Sequence, residues 1–411
     1  MPLSLFPLST LLLAVAILLS GHGLQLTLLP IRAKGMGWST EAIGSTASGY
    51  YLGFVLGCVV VPSIVARVGH IRAFTVMGAL ATLALLGAGL FDNLFAWLTL
   101  RFGTGFAFSG LYMVIESWLS EASTREKRGS VLATYTMISL LGMVLGQAFL
   151  MLADPAGLEL FVIGAGLICL ATIPVGLTRM TLPLPLPHTR FRPVVLLRAS
   201  RVAVVCAFLG GLVTGAIWAV GPLVGPAFGL EGGAVGALMS AAILGGALSQ
   251  LPVGRLSDRT DRRFVIAGLL ASGVAVSICG WLFAPTSTPA LFVVMFCIGA
   301  VSMPVYALCI ATASDNSDVP LIEIASSILI MNSLGAIVSP LLVSPLMTRF
   351  GGKGFFMYLL ACFVLAALWA FYRIIVVERP RTHEHTFEMV PETTPVVVTL
   401  SADQGTLREK R

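Results

Sequence analysis

Twelve apolar stretches, each close to the ~20 residues a helix needs to cross a hydrocarbon core, recur along almost the whole chain. They run over 8–31, 42–66, 73–91, 94–119, 130–152, 158–178, 201–222, 233–254, 264–284, 289–312, 322–347 and 354–377. A lipid-facing backbone has no water to bond, so each stretch must satisfy its own N–H and C=O groups. None shows the two-residue alternation that barrel strands need, which leaves helices. Composition agrees, with 57% hydrophobic and 11% charged residues against roughly 25% charged in soluble domains. The chain is therefore predicted to be an all-α membrane protein with twelve transmembrane helices.

Lys and Arg are placed unevenly among the links. With the N-terminus inside, twenty of the 25 fall on that side, four (Arg32, Lys34, Arg349, Lys353) on the other, and Arg101 within a span. This bias puts both termini in the cytoplasm. The net charge of +6 then reflects topology, and no nucleic-acid partner is expected. No polar leader precedes the first span, which reads as an uncleaved helix. The seven cysteines fall singly within spans, without the spacing of metal or redox sites, and read as small core residues. No metal or cofactor is expected.

The chain repeats itself. A shift of 192 lays Gly23 on Gly215, Pro30 on Pro222, Gly44 on Gly236, Gly53 on Gly245 and Arg67 on Arg259, and a shift of 193 lays Gly142 on Gly335. This predicts two pseudo-symmetric six-helix bundles, 1–178 and 201–377. A proline-rich basic link, 179–200, joins them as an extended spacer, and a polar tail, 378–411, reads as disordered. Small residues every four positions (Gly49, Gly53, Gly57 and, 192 later, Ala241, Gly245, Ser249) predict close helix packing, expected between the halves.

One link is densely charged. "GRLSDRTDRR" at 254–263 resembles the loop signature G-x-L-[AS]-D-R-x-G-R-[RK] of the major facilitator superfamily. Gly254, Leu256, Ser257, Asp258, Arg259, Arg262 and Arg263 match, while Asp261 replaces a glycine; in the first half only Arg67 and Gly69 match. "VIESWLSEASTREKRG" at 114–129 and "RFGTG" at 101–105 resemble the YcaD-like branch of that superfamily, which includes riboflavin carriers. The resemblance implies two bundles that rock about a central cavity in a bacterial inner membrane. It further implies a latch in which each loop arginine reaches an acid at the end of its half's fourth helix: Glu121 for Arg67, Asp315 or Asp318 for Arg259. The alternative is that these arginines only anchor topology.

Polar side chains inside spans default to functional candidates. His22 and Gln25, three residues apart on one helix face, lie near the membrane midplane. His22 either contacts solute, carries a proton, or is a neutral histidine bonded to a neighbouring helix. Arg101 and Glu116 stand about 22 Å apart along the fourth helix, too far to pair. Arg101 with Gly105 matches the family's R-x-x-x-G element, implying coupling or an anion contact; Glu116 is a proton site or an ion-pair partner. Tyr112, Gln147, Trp218, Tyr306 and Asn332 complete a candidate wall of stacking surfaces and amides.

These readings predict a secondary active transporter for a small organic solute, with riboflavin as the substrate, protons as the coupling ion and the monomer as the working unit. Gly146-Gln147 stands where superfamily antiporters carry Gly-Pro, which leans toward uptake; efflux of drugs or metabolites is the alternative. A non-transporting receptor is the alternative of a different class. No phosphate-binding G-x-x-x-x-G-K-[ST] loop, H-E-x-x-H or G-x-S-x-G motif occurs, so neither an ATP-driven pump nor an enzyme is expected.

Overall fold

A computed structural model describes residues 5–122, 128–177, 200–284, 286–315 and 321–376. The predicted link at 179–200, apart from Ser200, and the predicted tail at 378–411 lie outside the described residues. Among those described, twelve helices are long and apolar enough to cross a membrane, and no strand occurs. The first half holds α1 (Leu5–Gly35), α2 (Thr40–Val68), α3 (His70–Leu90), α4 (Leu94–Ala122), α5 (Arg128–Ala148) and α6 (Glu159–Leu177). The second holds α7 (Arg201–Val220), α8 (Gly233–Arg259), α9 (Arg262–Phe283), α10 (Thr288–Asp315), α11 (Leu321–Phe350) and α12 (Gly352–Val376). Several helices outrun the predicted spans by a few residues, because helical hydrogen bonding continues past the last apolar side chain.

The outer helices present Leu83 of α3, Ile173 of α6, Leu282 of α9 and Leu368 of α12 as exposed apolar surface. Lipid tails are as apolar as a core, so burial alone cannot drive helices together; close backbone approach must. Glycines supply it, and the contacts repeat between the halves. A Cβ at Gly53 would meet the carbonyl of Phe102, and one at Gly245 the carbonyl of Phe296. One at Gly142 would meet the carbonyl of Ala16, and one at Gly335 that of Phe208. The duplication seen in the sequence is thus also a duplication of packing.

These contacts correct one expectation. Gly49, Gly53 and Gly57 all face α4, at Leu98, Phe102 and Phe106 with Ser109, and Gly245 faces α10. The stripes therefore pack each half internally. The halves meet elsewhere, α2 on α11 and α5 on α8. At these seams Gly44 lies against Pro340 and Ser344, and Gly236 lies against the Gln147 carbonyl and Leu150. Ser48 Oγ also donates to the Ile337 carbonyl at 2.7 Å. All of these sit toward one face of the bundle, opposite the face where α1 begins and α12 ends; we call the two the sealed and the terminal face.

Candidate functional site: a cavity between the halves

Between the two bundles lies a cavity of about 160 Å³, close in size to an engineered core cavity that takes up benzene. The first half contributes Leu19, His22, Leu26, Tyr50, Tyr51, Phe54, Tyr112, Thr136, Ser139, Leu140 and Met143. The second contributes Thr214, Trp218, Gln250, Met303, Leu329, Asn332 and Ser333. One side is aromatic, the other carries both carboxamides, and among the described residues no Asp, Glu, Lys or Arg stands in this wall.

Of the candidates read from the sequence, His22, Tyr112, Trp218 and Asn332 are in the wall. Gln25 is buried behind it, its Nε2 donating to His22 Nδ1 at 2.8 Å. The contact ties one ring nitrogen to the amide of the same helix and leaves Nε2 as the nitrogen not engaged by Gln25. His22 is held further by Phe108, with ring centroids 4.1 Å apart. These two contacts fix the orientation of the imidazole.

The other candidates lie outside the wall. Arg101 is 7% exposed, and its guanidinium stacks over the ring of Tyr50 at 4.6 Å; Tyr50, not Arg101, meets the cavity. Glu116 is fully buried and accepts from the Tyr135 hydroxyl at 3.3 Å. Gln147 is spent on structure, since its Nε2 donates to the Gly23 carbonyl at 2.9 Å and staples α5 to α1. Tyr306 is buried in the second half away from the cavity.

Sequence reasoning missed Tyr50, Tyr51, Phe54 and Gln250. The three aromatics carried no usable signal, because in a membrane helix a lipid-facing ring and a cavity-facing ring read alike. Gln250 did carry one: an amide inside a span, the same signal that singled out Gln25 and Gln147.

The charged loop differs from its expected arrangement. Asp315 is held by Arg262, at 2.8 Å, and not by Arg259, which is exposed. Asp258 reaches the same Arg262 at a longer 3.4 Å, and Arg263 pairs with Asp261 at 2.8 Å. Asp261 also caps the first turn of α9 by accepting from the Arg263 N–H. These pairs tie α8, α9 and α10 within one half, so they cannot by themselves hold the two halves together. In the first half Gly69 joins α2 to α3 at φ 86°, Arg67 is exposed, and His70, the counterpart of Arg262, is buried against the Ser117 hydroxyl at 3.1 Å. The side chain of Glu121 and all of Asp318 lie outside the described residues. The expectation that every cysteine is a core residue also fails for Cys169 and Cys279, which are exposed.

Above the sealed face is a second, shallower vestibule of about 730 Å³ that includes Arg32 and Lys34 at the end of α1, Asp154, and Glu231. Arg32 donates to the Ala156 carbonyl there and approaches Asp92 at 3.7 Å. The Gly236 contact with α5 lies between this vestibule and the central cavity.

A two-half helical bundle around a shared internal cavity defines a class of membrane transporter. The chain belongs to the Major Facilitator Superfamily, whose signature it matches over residues 11–199 and 203–402. An uncharacterized transporter of this type from Enterobacter sp. (strain 638) is 26% identical over 362 residues, covering 87% of this chain and 91% of the relative. The uncharacterized transporter YcaD of Escherichia coli O17:K52:H18 (strain UMN026 / ExPEC) is 27% identical, over 79% and 84% of the two chains. Among solved structures, a mutant of the nucleoside transporter NupG superposes with a TM-score of 0.77 at 13% identity, over 89% of this chain and 99% of that one. A bacterial homolog of the human lysosomal transporter Spinster, in an inward-facing and unoccupied conformation, gives 0.73 at 14%, over 90% and 97%. At such identities the structures share the fold with this chain. The chain is thus a multi-pass membrane protein of a family of secondary transporters.

Proposed function

We propose that this protein takes up a small planar organic solute, with riboflavin as the first substrate to test, across the bacterial inner membrane by alternating access driven by protons. The observation that carries this reading is the composition of the central wall, where rings from the first half face hydrogen-bonding groups from the second. A planar ring gains stacking area on such a wall, and a few directed polar groups fix its orientation. The Lys and Arg distribution supports a cytoplasmic terminal face, and the inter-half contacts at the opposite face support a conformer closed to the periplasm. The working unit is the monomer, since each chain encloses a complete cavity.

Riboflavin spans more than 160 Å³ accommodates, so loading it requires the halves to part, as rocking bundles do. The test is uptake of labelled riboflavin into proteoliposomes with an imposed pH gradient. Accumulation that collapses when a protonophore is added is the expected result. Equilibration without accumulation would remove proton drive, and no movement of riboflavin would remove it as substrate. Outward pumping against the gradient would make the protein an exporter.

In this reading His22 is a solute contact acting through its Nε2, the ring nitrogen not engaged by Gln25. His22→Gln is expected to raise KM about three- to tenfold, the value of one lost neutral hydrogen bond, with kcat nearly unchanged. Loss of pH-driven accumulation with exchange intact would instead make His22 the proton carrier.

A further inference from the structure

Gln250 presents an unpartnered amide oxygen to the central cavity. Gln250 is 7% exposed, in the wall of the central cavity, and its buried Oε1 has no hydrogen-bond partner among the described residues. A buried amide oxygen that gave up water and gained nothing is unfavourable in the empty protein. That cost is recovered if a bound molecule supplies the missing donor.

The other carboxamide of the wall, Asn332, is 5% exposed on the same half. Its place is fixed by close backbone approach: a Cβ at Gly211 of α7 would meet the Asn332 carbonyl, and Gly335, three residues on, lies against the Phe208 carbonyl. Each carboxamide offers one acceptor and a pair of N–H donors, so together they can complement a C=O and an N–H on one molecule. Among the described residues no charged side chain stands in the wall; the Arg101 guanidinium lies behind the Tyr50 ring, so an ion entering would lose its hydration without direct contact with a counter-charge.

We propose that Gln250 and Asn332 read the edge of a neutral cyclic amide or imide, whose ring stacks on the aromatic side contributed by Tyr50 and Tyr112. The proposal deepens the transport reading above and rests on it for the claim that the bound molecule is cargo. It makes Gln250 a specificity-determining residue and sets the substrate class as uncharged lactams and imides. A site built to hydrogen-bond an N–H rejects the analogue lacking it, because its own polar groups are then left unpaired.

The experiment measures binding to the purified full-length chain. The probes are riboflavin and 3-methylriboflavin, in which a methyl replaces the imide proton; uridine and 3-methyluridine, which carry the same edge on a smaller ring; and flavin mononucleotide, which adds charge to the flavin. At least one imide is expected to bind about tenfold or more tightly than its N-methyl counterpart and flavin mononucleotide more weakly than riboflavin. In Gln250→Met, a shape-conserving change, the N-methyl discrimination should fall to about twofold. The same variant should melt at an equal or higher temperature than wild type, since it removes an unpartnered polar group, a result that a structural role for Gln250 would reverse.

Equal binding of both N-methyl pairs, tight binding of flavin mononucleotide, binding of neither imide, or a destabilised Gln250→Met would each overturn the proposal. Discriminating binding without flux into proteoliposomes would sink the transport reading and leave this one standing. Equal accumulation of riboflavin and 3-methylriboflavin would do the reverse.

Discussion

Replacing Asp315 by asparagine is expected to cost the folded protein about 3–5 kcal/mol, the usual penalty for stripping a buried charge of its partner. Arg262 is 1% exposed and Asp315 6%, with 2.8 Å between them. The variant would strip a guanidinium buried at the junction of α9 and α10 of its shortest ion pair, the Asp258 contact being longer at 3.4 Å. Much of that penalty belongs to the stranded charge, so the double replacement Arg262→Met with Asp315→Leu should recover most of the lost stability.

Two neighbouring substitutions serve as controls. Arg259→Gln, at an exposed position, should change stability by no more than about 0.5 kcal/mol. Asp258→Asn should fall well below the Asp315 effect, because its contact with Arg262 is long and partly solvated. Thermal unfolding of purified variants in one detergent checks the whole series. An Asp315→Asn protein that melts with wild type would mean that the pair contributes nothing and that the loop's charges only set topology.

The second large effect concerns the seam between the halves. A Cβ at Gly236 would lie 2.5 Å from the Gln147 carbonyl and 3.1 Å from Leu150, so Gly236→Val overpacks the contact by about 1–3 kcal/mol. The two halves can relieve that clash by parting, which a folded core cannot do. A penalty of this size placed on one conformer shifts the balance toward the other by about five- to 150-fold. Spin labels at Leu152 and Glu231, both exposed beside the sealed face, should therefore report a longer distance in a larger fraction of molecules.

Gly105→Val is the matched comparison. Its Cβ would meet the Tyr50 backbone inside the first half, where no rocking motion gives relief, so it should lower the melting temperature and leave the label distances alone. If Gly236→Val merely destabilised the protein and the distances did not move, the α5–α8 seam would be a fixed interface and not a moving one.

The sequence alone was enough for the twelve spans, since each follows from the length of an apolar run and the need to satisfy a backbone in lipid. It was enough for the duplication as well, because glycines that permit close approach recur at the same spacing in both halves and cannot be exchanged for larger residues. It also placed His22 beside Gln25, three residues apart on one helix, which the structure joins by a hydrogen bond. Helical phase carries that kind of information within a single element.

What the sequence could not carry was anything that crosses an element boundary. Arg259 ends α8 and Arg262 begins α9, with Thr260 and Asp261 breaking the helix between them, so no periodicity links the two and only the fold decides which one turns inward to Asp315. The glycine stripes announced a close neighbour without naming it, and the neighbour proved to be α4 or α10. The cavity wall is drawn from eight helices, and whether a given tyrosine or glutamine faces it depends on how those helices are rotated against one another. That rotation is settled by packing between distant segments, which no local pattern of residues encodes.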